Sequence, residues 1–254
     1  MPFFSSAEKL NFDELRFITV DESPANFVNA QGELVGYSVD IIKRLQTRLD
    51  ITKNIEVMPE ARAMHTVKNK PDVVMFSITR TPERESRFHW LAHVLTKRWI
   101  LYSKYDANFD NSSLDTLLDN LTVGVIRGDI REQWMKANYP GRSVGLLNYY
   151  NGVEMLLKGR IDLLFYESYG MFGTLEKLGY QRGEVKSQYV ATSSDVYIVM
   201  SKFSGSDLMA KALKQELSVM QASVWYQKHT ELWLNELNKS GSGDAWIYKK
   251  VLQY

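Results

Sequence analysis

Two hydroxyls and a guanidinium stand at fixed spacing in MFSITRTPERESRF (75–88): Ser77, Thr79 and Arg84. An arginine fork takes a carboxylate through two parallel hydrogen bonds, and small hydroxyls can complete the anion's shell. The stretch continues from DVVMFS (72–77), apolar throughout as in a strand covered on both faces. In open α/β sheets, ligands sit beyond the carboxyl ends of such strands. If the segment stays extended, Ser77 and Thr79 share one side, with Arg84 one turn into the following helix. A plainer reading competes with this one. Thr81 before Pro82 is a helix-start signature, in which Thr81 only caps and Arg80 and Arg84 are solvated. On this stretch alone both stand.

Other charged groups fall at similar places. GVIRGDIREQ (124–133) reads as strand, glycine and helix start, whose backbone N–H groups at Ile130 or Arg131 can meet an anion. Asp129 and Glu132, three apart, can instead satisfy those groups as a capping box. GRIDLLFYES (159–168) ends its strand with Tyr166 and Glu167, and the carboxylate can receive an ammonium group or cap the next helix. Arg62 in PEARAM fits a surface helix as well as a ligand contact. Asp21 and Glu22 follow the first strand as loop carboxylates. His89 and His93, four apart in FHWLAHV, have a metal-compatible spacing on a helix, but the apolar setting and lack of a third ligand favour packing.

Strands at 15–20, 54–59, 72–77 and 98–105 carry these side chains and alternate with helices. A helix after Ser38 has Val39, Ile42, Leu45 and Leu49 on one face, and another is opened by Pro82. The alternation restarts with strands at 121–126, 143–147, 161–166 and 195–200. Such alternation argues for parallel α/β sheets. Two runs in 254 residues suggest two lobes. With 31 basic and 30 acidic residues, the chain has no electrostatic footprint for nucleic acid. No cysteine is present, which excludes disulfides and thiolate chemistry. No G-x-S-x-G, P-loop or H-E-x-x-H occurs, so no catalytic residue set, cofactor or metal site is expected. MPFFSSAEKL lacks the basic and apolar regions of a secretory leader, as in either a cytosolic protein or a mature chain whose signal peptide has been removed.

The order of these motifs resembles extracellular solute-binding protein family 3, the polar-amino-acid class of periplasmic binding proteins. GELVGYSVDIIKRL, DVVMFSITRTPERESRFHW, LTVGVIRGDIREQ and LLKGRIDLLFYES carry the resemblance over nearly the whole chain. PEARA followed by FSITRTPERE is most similar to a proteobacterial subgroup. The resemblance implies a two-lobed α/β type II periplasmic binding fold, each lobe a mainly parallel sheet flanked by helices, with two hinge crossovers. Lobe one would be residues 1–102 and 197–254, with lobe two, 103–196, inserted. It implies a periplasmic, monomeric protein that captures an amino acid or related carboxylate between its lobes for an ABC permease. Ser77, Thr79 and Arg84 would hold the ligand, Thr81 would support the helix start, Ile130 and Arg131 would approach the carboxylate by backbone, and Glu167 would receive the ammonium. Glu22, Arg62 and Tyr166 complete the candidate set. Three features depart from the family pattern. Asp129-Ile130 replaces a small hydroxyl pair, Glu167 replaces aspartate, and DESPANFVNAQ lacks the aromatic-Pro-Phe signature, with Phe27 its substitute. A dehydratase-like enzyme, with Glu167 or Glu22 as acid or base, and a ligand-sensing partner of a membrane receptor are the alternatives on the same fold.

Overall fold

The computed structural model describes residues 10–239 and 245–254. The leader reading of the first residues and the Gly/Ser stretch at 240–244 lie outside them. In chain order the first elements are β1 (Arg16–Thr19), β2 (Phe27–Val28), β3 (Leu34–Val35), α1 (Tyr37–Arg48), β4 (Ile55–Val57), α2 (Glu60–Asn69) and β5 (Val73–Thr79). A long strand β6 (Phe88–Lys104) leads to α3 (Leu114–Leu118), β7 (Val123–Ile126), α4 (Ile130–Asn138), β8 (Ser143–Leu146), α5 (Tyr149–Leu157), β9 (Leu163–Tyr166) and α6 (Ser168–Lys177). The chain continues through β10 (Val185–Ser201), α7 (Asp207–Gln221), α8 (Val224–Lys239), β11 (Trp246–Tyr248) and β12 (Val251–Gln253).

The chain divides into two compact units. One runs to Leu95 and adds Asp195–Trp233 and Lys249–Val251; the other is Thr96–Ser194 with Leu234–Tyr248 and Leu252–Tyr254. The borders expected from sequence, 102/103 and 196/197, fall inside β6 and β10, each of which has residues in both units. The tail, expected wholly in lobe one, is shared between the two units.

In the first unit β1 lies between β4 and β5, parallel to both, and β10 runs antiparallel to β5. Ile18, Met75 and Val199 from the sheet pack with Ala63 and Val67 of α2 and with Phe88. Each fully buried side chain of this kind contributes about 1.5–3 kcal/mol. Helix α1 buries Val39, Ile42 and Leu45, the face its spacing predicts, while Leu49 sits just past the helix end. The helix does not wait until after Ser38: it begins at Tyr37, and the hydroxyl of Ser38 is buried inside the first turn. The amides of Tyr37 and Ser38 donate instead to the carbonyls of Pro24 and Ala25.

In the second unit β7 is parallel to β8 and β9, and β9 is antiparallel to β6. Trp99, Leu101, Val123, Val125 and Phe165 fill one side of this sheet with Leu117 and Met135. Leu146, Val153, Leu156, Leu164 and Met171 belong to a second cluster.

Two further expectations change. The segment opened by Pro82 is a six-residue 3-10 turn, Pro82–Arg87, because the chain must re-enter the sheet at Phe88. That re-entry also puts His89 and His93 on a strand, where they take separate partners. His89 Nε2 lies 2.8 Å from Ser206 Oγ, and His93 Nε2 lies 3.3 Å from Asp195 Oδ1. Their spacing is therefore not a metal pair.

Candidate functional site

The candidate residues collect at the carboxyl ends of the parallel strands, one group in each unit. In the first unit, β1 is followed by a loop to Asn26, β4 by α2 with Arg62, and β5 by the turn carrying Arg84. Ser77 does not share an extended face with Thr79. Its φ is +68°, and the pairing of β5 with β10 skips it: Tyr197 faces Ile78 and Ile198 faces Phe76. Ser77 is thus the extra residue of a β-bulge, a device that re-aims a side chain. A serine in this left-handed conformation costs about 1–2 kcal/mol relative to ordinary backbone.

The re-aimed hydroxyl meets a side chain that sequence reasoning passed over. Ser77 Oγ bonds Oδ1 of Asn26, which is completely buried. Asn26 Nδ2 donates to the Val20 carbonyl at the end of β1, and its backbone pairs with Glu22 in both directions. The loop bearing Asn26 can come this close to α1 because Gly36, at φ +133°, has no side chain. A Cβ there would stand 2.5 Å from the Ala25 oxygen and 2.8 Å from the Asn26 nitrogen. A buried polar residue inside a short loop gives little signal of its role in sequence, since its burial depends on distant elements.

Arg84 is half-buried, and its Nη1 donates to the Thr79 carbonyl at 3.2 Å. Lys68 reports the local charge. Burial lowers its pKa first, and the nearby Arg84 and Arg87 lower it further. Lys68, Arg84 and Arg87 thus lie close enough to feel one another, with the Glu83 carboxylate also within reach of the Arg84 charge. Thr81 makes no side-chain cap; its side chain instead helps hold the Glu83 carboxyl below its usual range. Arg80 turns away from Arg84, pairing with Glu85 and lying over the rings of Trp90 and Tyr197 at 5.2 and 5.0 Å. Arg62 is exposed on α2, where its charge helps to lower the Glu56 carboxyl after the direct bond and charge from Arg16. Glu22 is half-buried beside Asn26.

In the second unit, the side chains at the strand ends mostly satisfy each other. Asp129 caps α4 by accepting from the Arg131 amide at 2.7 Å. Its carboxylate also takes Arg131 Nε at 3.0 Å, Arg131 Nη2 at 2.8 Å and the Tyr149 hydroxyl at 2.9 Å. The Arg131 guanidinium lies 5.9, 5.4 and 5.7 Å from the ring centres of Trp99, Tyr149 and Tyr166. Tyr149 and Tyr166 stack at 3.5 Å. Burial alone would raise the Asp129 carboxyl, yet Arg131 and Tyr149 outweigh it and hold it below the usual range. Glu132 does not complete a capping box on Asp129; it accepts from the Gly128 amide at 2.8 Å. The anion position at this helix start is thus filled by the chain's own carboxylates, while Ile130 packs partly against the core.

Glu167 is buried and caps α6, accepting from the amides of Tyr169, at 2.9 Å, and Gly170. Of the two roles its position allows, the capping one is visible in the geometry. The structure thus brings Glu22, Ser77, Thr79 and Arg84 to one edge of the first unit. It brings Arg131, Tyr166 and Glu167 to one edge of the second, with Arg62 out on α2. Asn26, Trp99 and Tyr149 are the contributors not anticipated from sequence, although the opposite charges of Asp129 and Arg131 flank one residue and could have suggested a pair.

Residues 15–236 match the bacterial extracellular solute-binding proteins, family 3. The chain belongs to that family. It is 27% identical over 149 residues to the histidine-binding periplasmic protein of Salmonella typhimurium, and 26% over 152 residues to that of Escherichia coli K12, in each case over 56% of both chains. The matched stretch is thus little more than half the length of these curated relatives. Among solved structures, this family 3 protein is similar to a histidine kinase sensor domain with a TM-score of 0.74 at 13% identity, over 87% of this chain and 96% of that one. A mutant of ArgBP from T. maritima gives 0.72 at 19% identity over the same shares. At these identities the likeness establishes the periplasmic-binding-protein fold alone. Among the described residues of this family 3 protein, no helix is long and apolar enough to cross a membrane.

Proposed function

We propose that this protein is a periplasmic binding protein that captures a small carboxylate or zwitterion, an amino acid or close derivative, for delivery to an ABC permease. The observation that carries the reading is the placement of Arg84. It is half-buried beyond the end of β5, its guanidinium tethered to the Thr79 carbonyl, with Lys68 and Arg87 nearby. A guanidinium braced in this way offers a planar fork to a carboxylate without having to be ordered first. The histidine and arginine bound by similar proteins agree with this reading in chemical class. The protein acts as a monomer in this reading.

Calorimetry against L-histidine, L-arginine, L-glutamine and L-glutamate tests it. Truncating one member of a desolvated charge pair typically costs about 2–5 kcal/mol, so Arg84→Ala should weaken the bound compound by about 30-fold or more. The melting curve of the free variant should stay close to that of the wild type. An affinity unchanged in Arg84→Ala removes the guanidinium from the site and the reading with it.

A further inference from the structure

The hydrogen bonds around Asn26 decide which way the Ser77 hydroxyl points. A backbone carbonyl can only accept, so the Asn26 group facing the Val20 oxygen must be the amide NH2. That places Oδ1 toward Ser77, and an amide oxygen also can only accept. Ser77 has one proton, and it is committed to Asn26. What the hydroxyl oxygen of this half-buried residue has left is lone pairs. The bulge reinforces the arrangement, because it directs Oγ toward the loop after β1 instead of leaving it on the regular strand face.

We propose that Asn26 is a positioning residue that makes Ser77 an acceptor, so that this hydroxyl recognises an N–H or ammonium group of the ligand instead of its carboxylate. The inference rests on the reading of Arg84 as the carboxylate holder and divides the labour at that edge. Arg84 supplies donors to the acid group, and Ser77 supplies an acceptor to the amine. Recognition then favours ligands bearing a nitrogen donor over organic acids of the same shape without one. A site built to hydrogen-bond a polar group discriminates strongly against the analogue lacking it, because the buried partner is left unpaired.

Two measurements test the proposal. Neutron diffraction from deuterium-exchanged crystals of the full chain locates the Ser77 deuteron directly. It is expected on the line to Asn26, and a deuteron pointing away overturns the inference whatever binds. The second measurement compares L-histidine, L-arginine and L-glutamate with their des-amino analogues, imidazolepropionate, 5-guanidinovalerate and glutarate. In the wild type the amino compound of any binding pair should be at least about tenfold tighter, as expected for a hydrogen bond to a charged group. Asn26→Leu, which frees the Ser77 proton, should erase most of that preference, and Asn26→Asp, which can still accept from Ser77, should restore it. Such a restored preference would not follow from a merely structural role. Equal affinity for both members of a binding pair in the wild type overturns the proposal while leaving Arg84 in place. Loss of all binding in Arg84→Ala together with an intact amine preference in the wild type supports both readings. If no compound binds, the carboxylate reading fails and the neutron result alone decides the polarity of Ser77.

Discussion

Replacing Asp129 by alanine strips four hydrogen bonds from one carboxylate: the Arg131 amide, two guanidinium nitrogens and the Tyr149 hydroxyl. The Arg131 side chain left behind is 7% exposed, so water cannot readily replace the lost partner. Breaking a buried pair from one side costs about 3–5 kcal/mol, and losing a helix cap about 1 kcal/mol. The aromatic faces of Trp99, Tyr149 and Tyr166 keep part of the cation's stabilisation in the variant. The lower end, about 3 kcal/mol, is therefore expected. At about 2–4 °C per kcal/mol for a chain of this size, the melting temperature should fall by about 6–12 °C. Removing the cation as well, in Asp129→Ala/Arg131→Leu, should recover much of that loss, since an apolar replacement of a buried pair is often close to neutral. Differential scanning calorimetry of wild type, single and double variants measures both. The pH dependence has a definite sign. The folded carboxyl titrates below its ordinary 3.8, so as pH falls the unfolded chain takes the proton first. The pair's contribution is complete above that value and is lost as pH drops through the folded one. Wild type and Asp129→Asn should differ at neutral pH and converge in strong acid. A fall of less than about 3 °C for Asp129→Ala, or a double variant no more stable than the single, refutes the description of this pair as buried and mutually dependent.

Ser77→Ala leaves the buried Asn26 oxygen unpaired and keeps the strained φ, so urea denaturation should show a loss of about 1–3 kcal/mol. Ser77→Gly loses the same bond but relieves the conformation, and should be about 1 kcal/mol better than alanine. Gly36→Ala drives a Cβ into the Ala25 and Asn26 backbone, which cannot swing aside as a side-chain end can; a loss of at least about 2 kcal/mol is expected, together with weakened ligand binding. His229 lies stacked between Tyr37 and Trp225, with Nε2 donating to the Tyr37 carbonyl at 3.0 Å. Burial lowers its pKa despite that bond and Asp40, so the unfolded chain gains the proton first as pH falls through about 6.5. Stability should therefore decline from pH 7.5 to 5.5, and His229→Gln should flatten that slope.

How far sequence reaches into this molecule depends on what decides each feature. β5 and β7 are apolar runs whose burial is nearly forced, and both are legible as strands. β6 and β10 are longer than their legible cores, because residues 89–94 and 186–194 mix polar and apolar residues and become strand only through pairing across the chain. The site divides along the same line. The place of Arg84 just beyond β5 is legible from local spacing, as is the helix start at Ile130. What local spacing cannot say is whether a carboxylate near that start caps, pairs or waits for a ligand, since the answer depends on Tyr149 and Trp99, 20 and 30 residues from Asp129. The bulge at Ser77 is hidden for a similar reason: a serine at positive φ goes against its own preference and persists because the Asn26 loop and β10 over-determine it. Local rules fail where tertiary contacts overrule them, and strain of that kind tends to gather at functional positions. In the second unit Asp129 and Arg131 at the strand ends are paired with each other. In the first, a strained serine and a braced arginine remain at the strand ends, and that asymmetry is the physical reason to look there for what distinguishes one ligand from another.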